Sequence, residues 1–270
     1  MWEPEEALST RQWYASPRGG FALAQQKRLL QHVMSRWPRR GRSILNVGRG
    51  TGLFSEFLWE SGFDVCCLAQ NQAMLESAQA WLGAKASYQL GVAGHLPFDD
   101  QSFDYVALLG ALEYLDEPCA ALEEALRVAA RGVILGFFNA CSLARLAQAL
   151  PGGGGMPPHA RWFGLTALWR LLRRLPDLRR VRFGAVLLGP PFSWRVEKKI
   201  CRFCNTLRVP LPVGAYAALS VSLGSAPPLT TLPLRLRKGG LEEASPHALR
   251  KGAASGRAGL GCPRPHSEKR

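Results

Sequence analysis

Ser43-Ile-Leu-Asn-Val-Gly-Arg-Gly-Thr-Gly-Leu-Phe54 decides how this chain folds. A short apolar run, residues 43–47, stops at glycine, as a buried strand does. Glycines 48, 50 and 52 follow at alternate positions. From Thr51 to Ser61 the side chains Leu53, Phe54, Phe57 and Leu58 recur at helical spacing. A strand, a glycine turn and a helix in succession bring backbone N–H groups close to a ligand. In an open α/β sheet such a turn lies at the carboxyl ends of the strands, where ligands bind. A dinucleotide-binding turn wants its third small residue at 53. Leu53 stands there, which counts against a nicotinamide dehydrogenase.

Reading outward, Phe21, Leu23, Leu29, Leu30, Val33 and Met34 predict a helix over 19–37, preceded by Gly19-Gly20 and closed by Pro38. Beyond the glycine turn, strands are expected at 64–68, 87–90, 103–109 and 132–138, with helices at 71–83 and 117–130 between them. Strands alternating with helices imply βαβ units and a mainly parallel sheet. A glycine run at 152–155 then interrupts the pattern. Residues 161–175 read as an amphipathic basic helix, 181–188 and 216–223 as two further strands, and 193–206 as a helix between them. From Gly239 to Arg270 the composition is Gly, Ala, Ser, Pro and charge, which predicts a disordered basic tail. The folded part is expected over 1–238, with a cofactor half at 43–138 and an acceptor-side half at 139–225.

The 270 residues are 47% apolar and carry a net charge of +14, which excludes a wholly disordered chain. The charge is uneven. Residues 1–150 hold 13 basic and 15 acidic side chains, and residues 151–270 hold 21 and 5. Between Arg161 and Arg208 there are 12 basic and 2 acidic side chains, so an anionic membrane surface or RNA is a conceivable partner there. A solvated arginine face on a packed helix is the plainer reading. The seven cysteines are odd in number, with Cys66 and Cys67 adjacent in a buried strand, which argues against a disulfide framework. Cys201 and Cys204 have the spacing of half a zinc site, but no second pair follows, and no metal is expected. The opening residues MWEPEEALST are acidic and lack an apolar run, and no stretch approaches the ~18 apolar residues of a spanning helix, so a cytoplasmic location is expected.

Further segments follow the glycine turn in order. They are Gly62-Phe-Asp-Val-Cys-Cys-Leu68 with Met74-Leu75, then Gly91-Val-Ala-Gly-His-Leu-Pro-Phe98, Asp100-Gln-Ser-Phe-Asp-Tyr-Val106 and Leu112-Glu-Tyr-Leu-Asp-Glu-Pro118. This ordered set resembles the class I S-adenosylmethionine-dependent methyltransferases, over roughly residues 12–225. The resemblance implies an α/β Rossmann-like sheet of seven strands, six parallel and the last antiparallel, with helices on both faces. It implies S-adenosylmethionine as cofactor, lying across Gly48, Arg49, Gly50 and Gly52. It also implies backbone at Val92 and Ala93 against the adenine and Leu109 near the methionine portion. Trp13 and Tyr14 fall where such enzymes often cover the donor. The acceptor would be a small molecule, and a methyltransferase-like binding module without catalysis is the alternative.

Several positions depart from the family's pattern. Asn46 replaces an acid before the first glycine, Ala69 stands where an acid grips the ribose hydroxyls, Val92 replaces an adenine-side Asp, and Arg49 sits at a position commonly small or uncharged. Gln70 could supply an amide oxygen to the ribose if the strand exit shifts by one residue. Candidate bases for removing a proton from the acceptor are His95, Glu113, Tyr114 and His159. None of these is singled out as the catalytic residue.

Overall fold

A computed structural model describes residues 4–48, 51–148, 162–164, 178–194 and 199–223. The glycine run at 152–155, His159 and the tail over 239–270 lie outside the described residues. So does most of the helix expected over 161–175. Its described part, residues 162–164, is extended, and Phe163 bridges Asn139 in parallel. That pairing consumes backbone groups a helix would need.

The strands are β1 (Ser43–Val47), β2 (Asp64–Ala69), β3 (Ala86–Leu90), β4 (Phe103–Leu109), β5 (Ala129–Phe138), β6 (Leu178–Val186) and β7 (Tyr216–Leu223). They form one sheet in the order β3-β2-β1-β4-β5-β7-β6. Only β7 runs antiparallel to its neighbours β5 and β6, as expected. The order reverses at β1, which pairs with β2 on one side and β4 on the other, with Asn46 opposite both Cys67 and Ala107. A crevice opens at the carboxyl ends of the strands at such a switch point.

Seven helices accompany the strands among the described residues: α1 (Pro4–Ala15), α2 (Pro17–Val33), α3 (Leu53–Glu60), α4 (Gln72–Leu82), α5 (Pro118–Val128), α6 (Leu143–Gln148) and α7 (Lys199–Thr206). Alternation along each strand divides the core into two layers. Ile44, Cys67, Ala107 and Leu109 face a layer built with Leu29, Leu30, Phe57 and Leu58 of α2 and α3. Leu45, Val47, Leu68 and Leu108 face the other, built with Leu122, Ala125 and Val128 of α5. Each buried leucine contributes roughly 1.5–3 kcal/mol relative to exposure.

Three expectations change in detail. The helix expected over 19–37 is α2 and runs 17–33, because Ser16 Oγ accepts from the Gly19 N–H at 3.1 Å and Pro17 occupies the first turn. At its far end Trp37, before Pro38, leaves the helix to stack on Tyr105 with centroids 4.3 Å apart. Strand β6 ends at Val186 because Leu187 adopts a left-handed φ of 62°. The helix expected over 193–206 becomes a 3₁₀ turn at Pro191–Trp194 and α7, with 195–198 outside the described residues. Asn205 ties the two, accepting from the Gly189 N–H at 2.7 Å and donating to Ser193. Among the described residues no helix is long and apolar enough to cross a membrane.

Candidate functional site

Strands β1, β2 and β4 end around a cleft whose base is Asn46, Cys67 and Leu109 and whose near wall is the turn into α3. Gly52 caps α3 with φ +76°, and a Cβ there would come within 2.6 Å of Trp81 Cδ1. Only glycine fits both the conformation and the space. Gly48 lies against the Asn46 side chain, so a Cβ would sit 3.3 Å from Nδ2.

Asn46 is the most informative polar group. Its Nδ2 donates to Ser55 Oγ at 2.7 Å, while its Oδ1 is buried and has no hydrogen-bond partner among the described residues. A buried acceptor left open is costly unless something meets it. Burial pushes the Cys67 thiol up to about 11 despite a hydrogen bond with Ser55, so it stays neutral. No charged side chain lines the cleft among the described residues.

Of the residues expected to contact a cofactor, the structure brings Asn46, Gly48, Gly52, Ala69 and Leu109 into this one cleft. Arg49 and Gly50 lie outside the described residues. Gln70 is exposed just past β2 and does not line the cleft, because Ala69 completes the strand opposite Leu90. Asn71 is committed elsewhere, capping α4 by accepting from the Met74 N–H at 2.9 Å. Val92 is 60% exposed and bridges His95, while Ala93 is buried in the α5-side layer. Neither side chain lines the cleft.

The sequence reading missed helix α1 and its Arg11. Arg11 Nε donates to the Thr51 carbonyl at 2.9 Å and Nη2 to the Ser77 carbonyl at 3.1 Å, and the guanidinium lies 4.9 Å from the Trp81 ring centroid. One side chain thus fastens α1 to both the glycine turn and α4. Desolvation lowers its pKa. The sequence signal was Pro4 followed by Glu5 and Glu6, residues favoured in a first helical turn. Trp13 and Tyr14 serve that packing. Tyr14 meets Phe54, a cleft residue, edge-on with centroids 6.5 Å apart, and its hydroxyl donates to Gln26 Oε1 at 3.2 Å.

Behind Leu109 and Phe54 lies a buried polar cluster. Glu113 is fully buried in a 3₁₀ turn after β4, and its Oε1 accepts from the Phe138 N–H at 2.8 Å. Tyr216 packs its ring over Gly136, and among the described residues neither its hydroxyl nor Gln26 Nε2 has a hydrogen-bond partner. Burial, then Tyr14 and Glu113, push the Tyr216 phenol well above its usual value. His95 is exposed on the loop after β3. Cys204 is exposed, and the described residues contain no cluster able to hold a metal ion.

Residues 45–137 match the family described as "Methyltransferase domain". An uncharacterised methyltransferase of Mycobacterium tuberculosis is 35% identical over 99 residues, covering 37% of this chain and 40% of that protein. A demethylmenaquinone methyltransferase of Renibacterium salmoninarum is 37% identical over 92 residues, covering 34% and 38%. The chain thus spans about two fifths of the length of these relatives. A Thermotoga maritima structure described as an S-adenosylmethionine-dependent methyltransferase, possibly a histamine N-methyltransferase, superposes with a TM-score of 0.63 at 21% identity. It covers 83% of this chain and all of its own. Magnesium protoporphyrin IX methyltransferase from Synechocystis, with bound S-adenosylhomocysteine, gives 0.55 at 15% identity over 79% of this chain and 92% of its own. Both likenesses speak to the fold.

Proposed function

We propose that this chain, whose residues 45–137 belong to the methyltransferase-domain family, binds S-adenosylmethionine in the cleft over Gly48–Gly52 and transfers its methyl group to a small-molecule acceptor. The observation that carries the reading is the buried Oδ1 of Asn46, without a partner among the described residues, at the base of a glycine-walled cleft whose described lining holds no charge. The donor is a sulfonium with an α-ammonium group. An open amide oxygen suits the ammonium, and among the described lining residues no positive side chain repels the sulfonium. Gly48 and Gly52 let the turn pack closely against Asn46 and Trp81, which fixes the backbone wall that the methionine end would meet.

When bound, the donor supplies an electrophilic methyl group whose transfer is an in-line displacement. Alignment of the acceptor is therefore the first requirement on the protein. Arg11 and Tyr14 hold α1 against the cleft residues Thr51 and Phe54, from where it would help shield the donor from water. Glu113 and His95 do not line the cleft, so neither is assigned as base.

Ala69 at the end of β2 offers no oxygen to the ribose. A hydrogen bond to a charged group is worth roughly 1.5–3 kcal/mol. Its loss weakens the donor by about ten- to a hundredfold. This feature favours the second reading, a binding module without catalysis, to the extent that weak donor binding limits turnover. Photo-crosslinking with methyl-tritiated donor locates the site. Label is expected in peptides spanning Gly48–Ser55 or Cys67–Gln70. Label confined to other peptides, or none, overturns the assignment.

A further inference from the structure

A second recess lies at the β6 edge of the sheet, between α2, β6 and the end of α7, with about 820 Å³ of empty space including its open side. Helix α2 contributes Gln25, Arg28, Gln31 and His32, whose spacing places them on one helix face. Val186 of β6 forms its floor, and Arg208 enters from just beyond α7. Arg182, also on β6, donates to Ser35 Oγ at 2.8 Å and acts on His32 electrostatically.

Elsewhere in the described structure several cations are matched by acids. Arg127 meets Glu124 and Asp100, each at 2.7 Å, Arg42 and Arg131 share Asp104, and Lys85 meets Glu56. Among the described residues no acid lines this recess, and Arg28, Arg182 and Arg208 form no salt bridge. Desolvation, then Arg208 and Arg182, holds His32 below its usual value. Positive charge is gathered here against its own repulsion.

We propose that this recess binds a phosphate group, borne by a soluble phosphate monoester or by a lipid headgroup. Arg28 and Arg208 present two guanidinium forks, whose geometry matches phosphate oxygens in bidentate fashion. The amides of Gln31 and of Gln25, which is only 4% exposed, add neutral donors. The open volume leaves room for an organic group beyond the phosphate. The site is built from side chains distant from the glycine turn, so it stands or falls independently of the methyl-donor reading.

The test follows the His32 ring by proton NMR in the full chain, assigned with His32→Gln. The probes are inorganic phosphate, glycerol 3-phosphate, and phosphatidylcholine vesicles with or without phosphatidic acid. Sodium chloride at matched ionic strength is the control. Bound phosphate reverses the local repulsion, so the His32 pKa rises and its resonance shifts saturably. Arg28→Gln/Arg208→Gln should weaken binding by about tenfold or more. Arg208→Lys should keep part of the affinity, and circular dichroism checks that each variant is folded. Saturation by glycerol 3-phosphate identifies a soluble ligand, and a response to phosphatidic acid vesicles alone identifies a headgroup. Silence toward every probe, a response that chloride reproduces, or full affinity in the folded double variant overturns the proposal.

Discussion

The two recesses have opposite electrostatic characters. The cleft at β1, β2 and β4 is lined by no charged side chain among the described residues, and its open polar atom is a neutral amide oxygen. The recess at β6 is lined by Arg28, His32 and Arg208 with no acid among them. Only the second therefore selects its ligand by sign, attracting an anion and repelling a sulfonium, whereas the described lining of the first places no charge against a sulfonium. The difference also shows why the net charge of +14 says little by itself. In the sheet's other half Arg127 holds the Glu124 carboxyl down to about 2, chiefly by hydrogen bonding, so its charge is committed to structure. At the β6 edge the charge is available.

Substitutions can break or sharpen this contrast. Gly52→Val should have the largest effect. It combines a left-handed φ with a collision against Trp81, at a cost of about 2–4 kcal/mol, seen as a lower urea midpoint. An unchanged midpoint would show that the turn relaxes freely. Ala69→Asp places a carboxylate at the end of β2 and should tighten donor binding by roughly ten- to a hundredfold by calorimetry. The same change must leave phosphate binding at His32 untouched. Arg11→Ala removes the contacts to Thr51 and Ser77. It should cost about 1–2 kcal/mol and speed amide exchange in α1. Exchange at the wild-type rate would mean that α1 is held by other contacts. Tyr216→Phe deletes a buried hydroxyl without a partner, so stability should hold or rise by about 1 kcal/mol in thermal unfolding. A clear loss would reveal a partner for that oxygen.

The pH dependence of Cys67 gives a smaller effect of defined sign. Its folded pKa of about 11 exceeds the ordinary 9.0, so burial favours the thiol. The associated stability is present below pH 9 and is lost as pH rises through about 11. Accordingly, at pH 8 iodoacetamide should label the exposed Cys119, Cys141 and Cys204 and spare Cys67, as read by peptide mass spectrometry. Labelling of Cys67 at a comparable rate would show that the cleft opens readily.

Much of the sheet was legible in the sequence because its strands are buried on both faces and appear as short apolar runs. Strands β1, β4 and β7 fall at the expected residues. Helix α1 escaped notice because its residues show almost no apolar periodicity, and Arg11 holds it by polar contacts that reach 40 and 66 positions along the chain. The glycine turn was equally visible, but the open Oδ1 of Asn46 was not. It depends on Ser55 satisfying the amide nitrogen and on burial of the rest. The end of β2 was readable as Ala69. Whether Gln70 could take over depended on register, and the pairing of Ala69 with Leu90 leaves Gln70 outside the cleft. The phosphate recess joins residues 25–32 to 182, 186 and 208, and a basic composition alone could not separate its unmatched arginines from the matched ones.

Calorimetric titration of the pure chain with S-adenosylmethionine tests the central claim most directly. The account predicts saturable heat for about one donor per chain, at micromolar to millimolar affinity. Asn46→Ala, which removes the open amide oxygen, should weaken it by about tenfold. No heat at millimolar donor, or full affinity in Asn46→Ala, would contradict the assignment of the cleft.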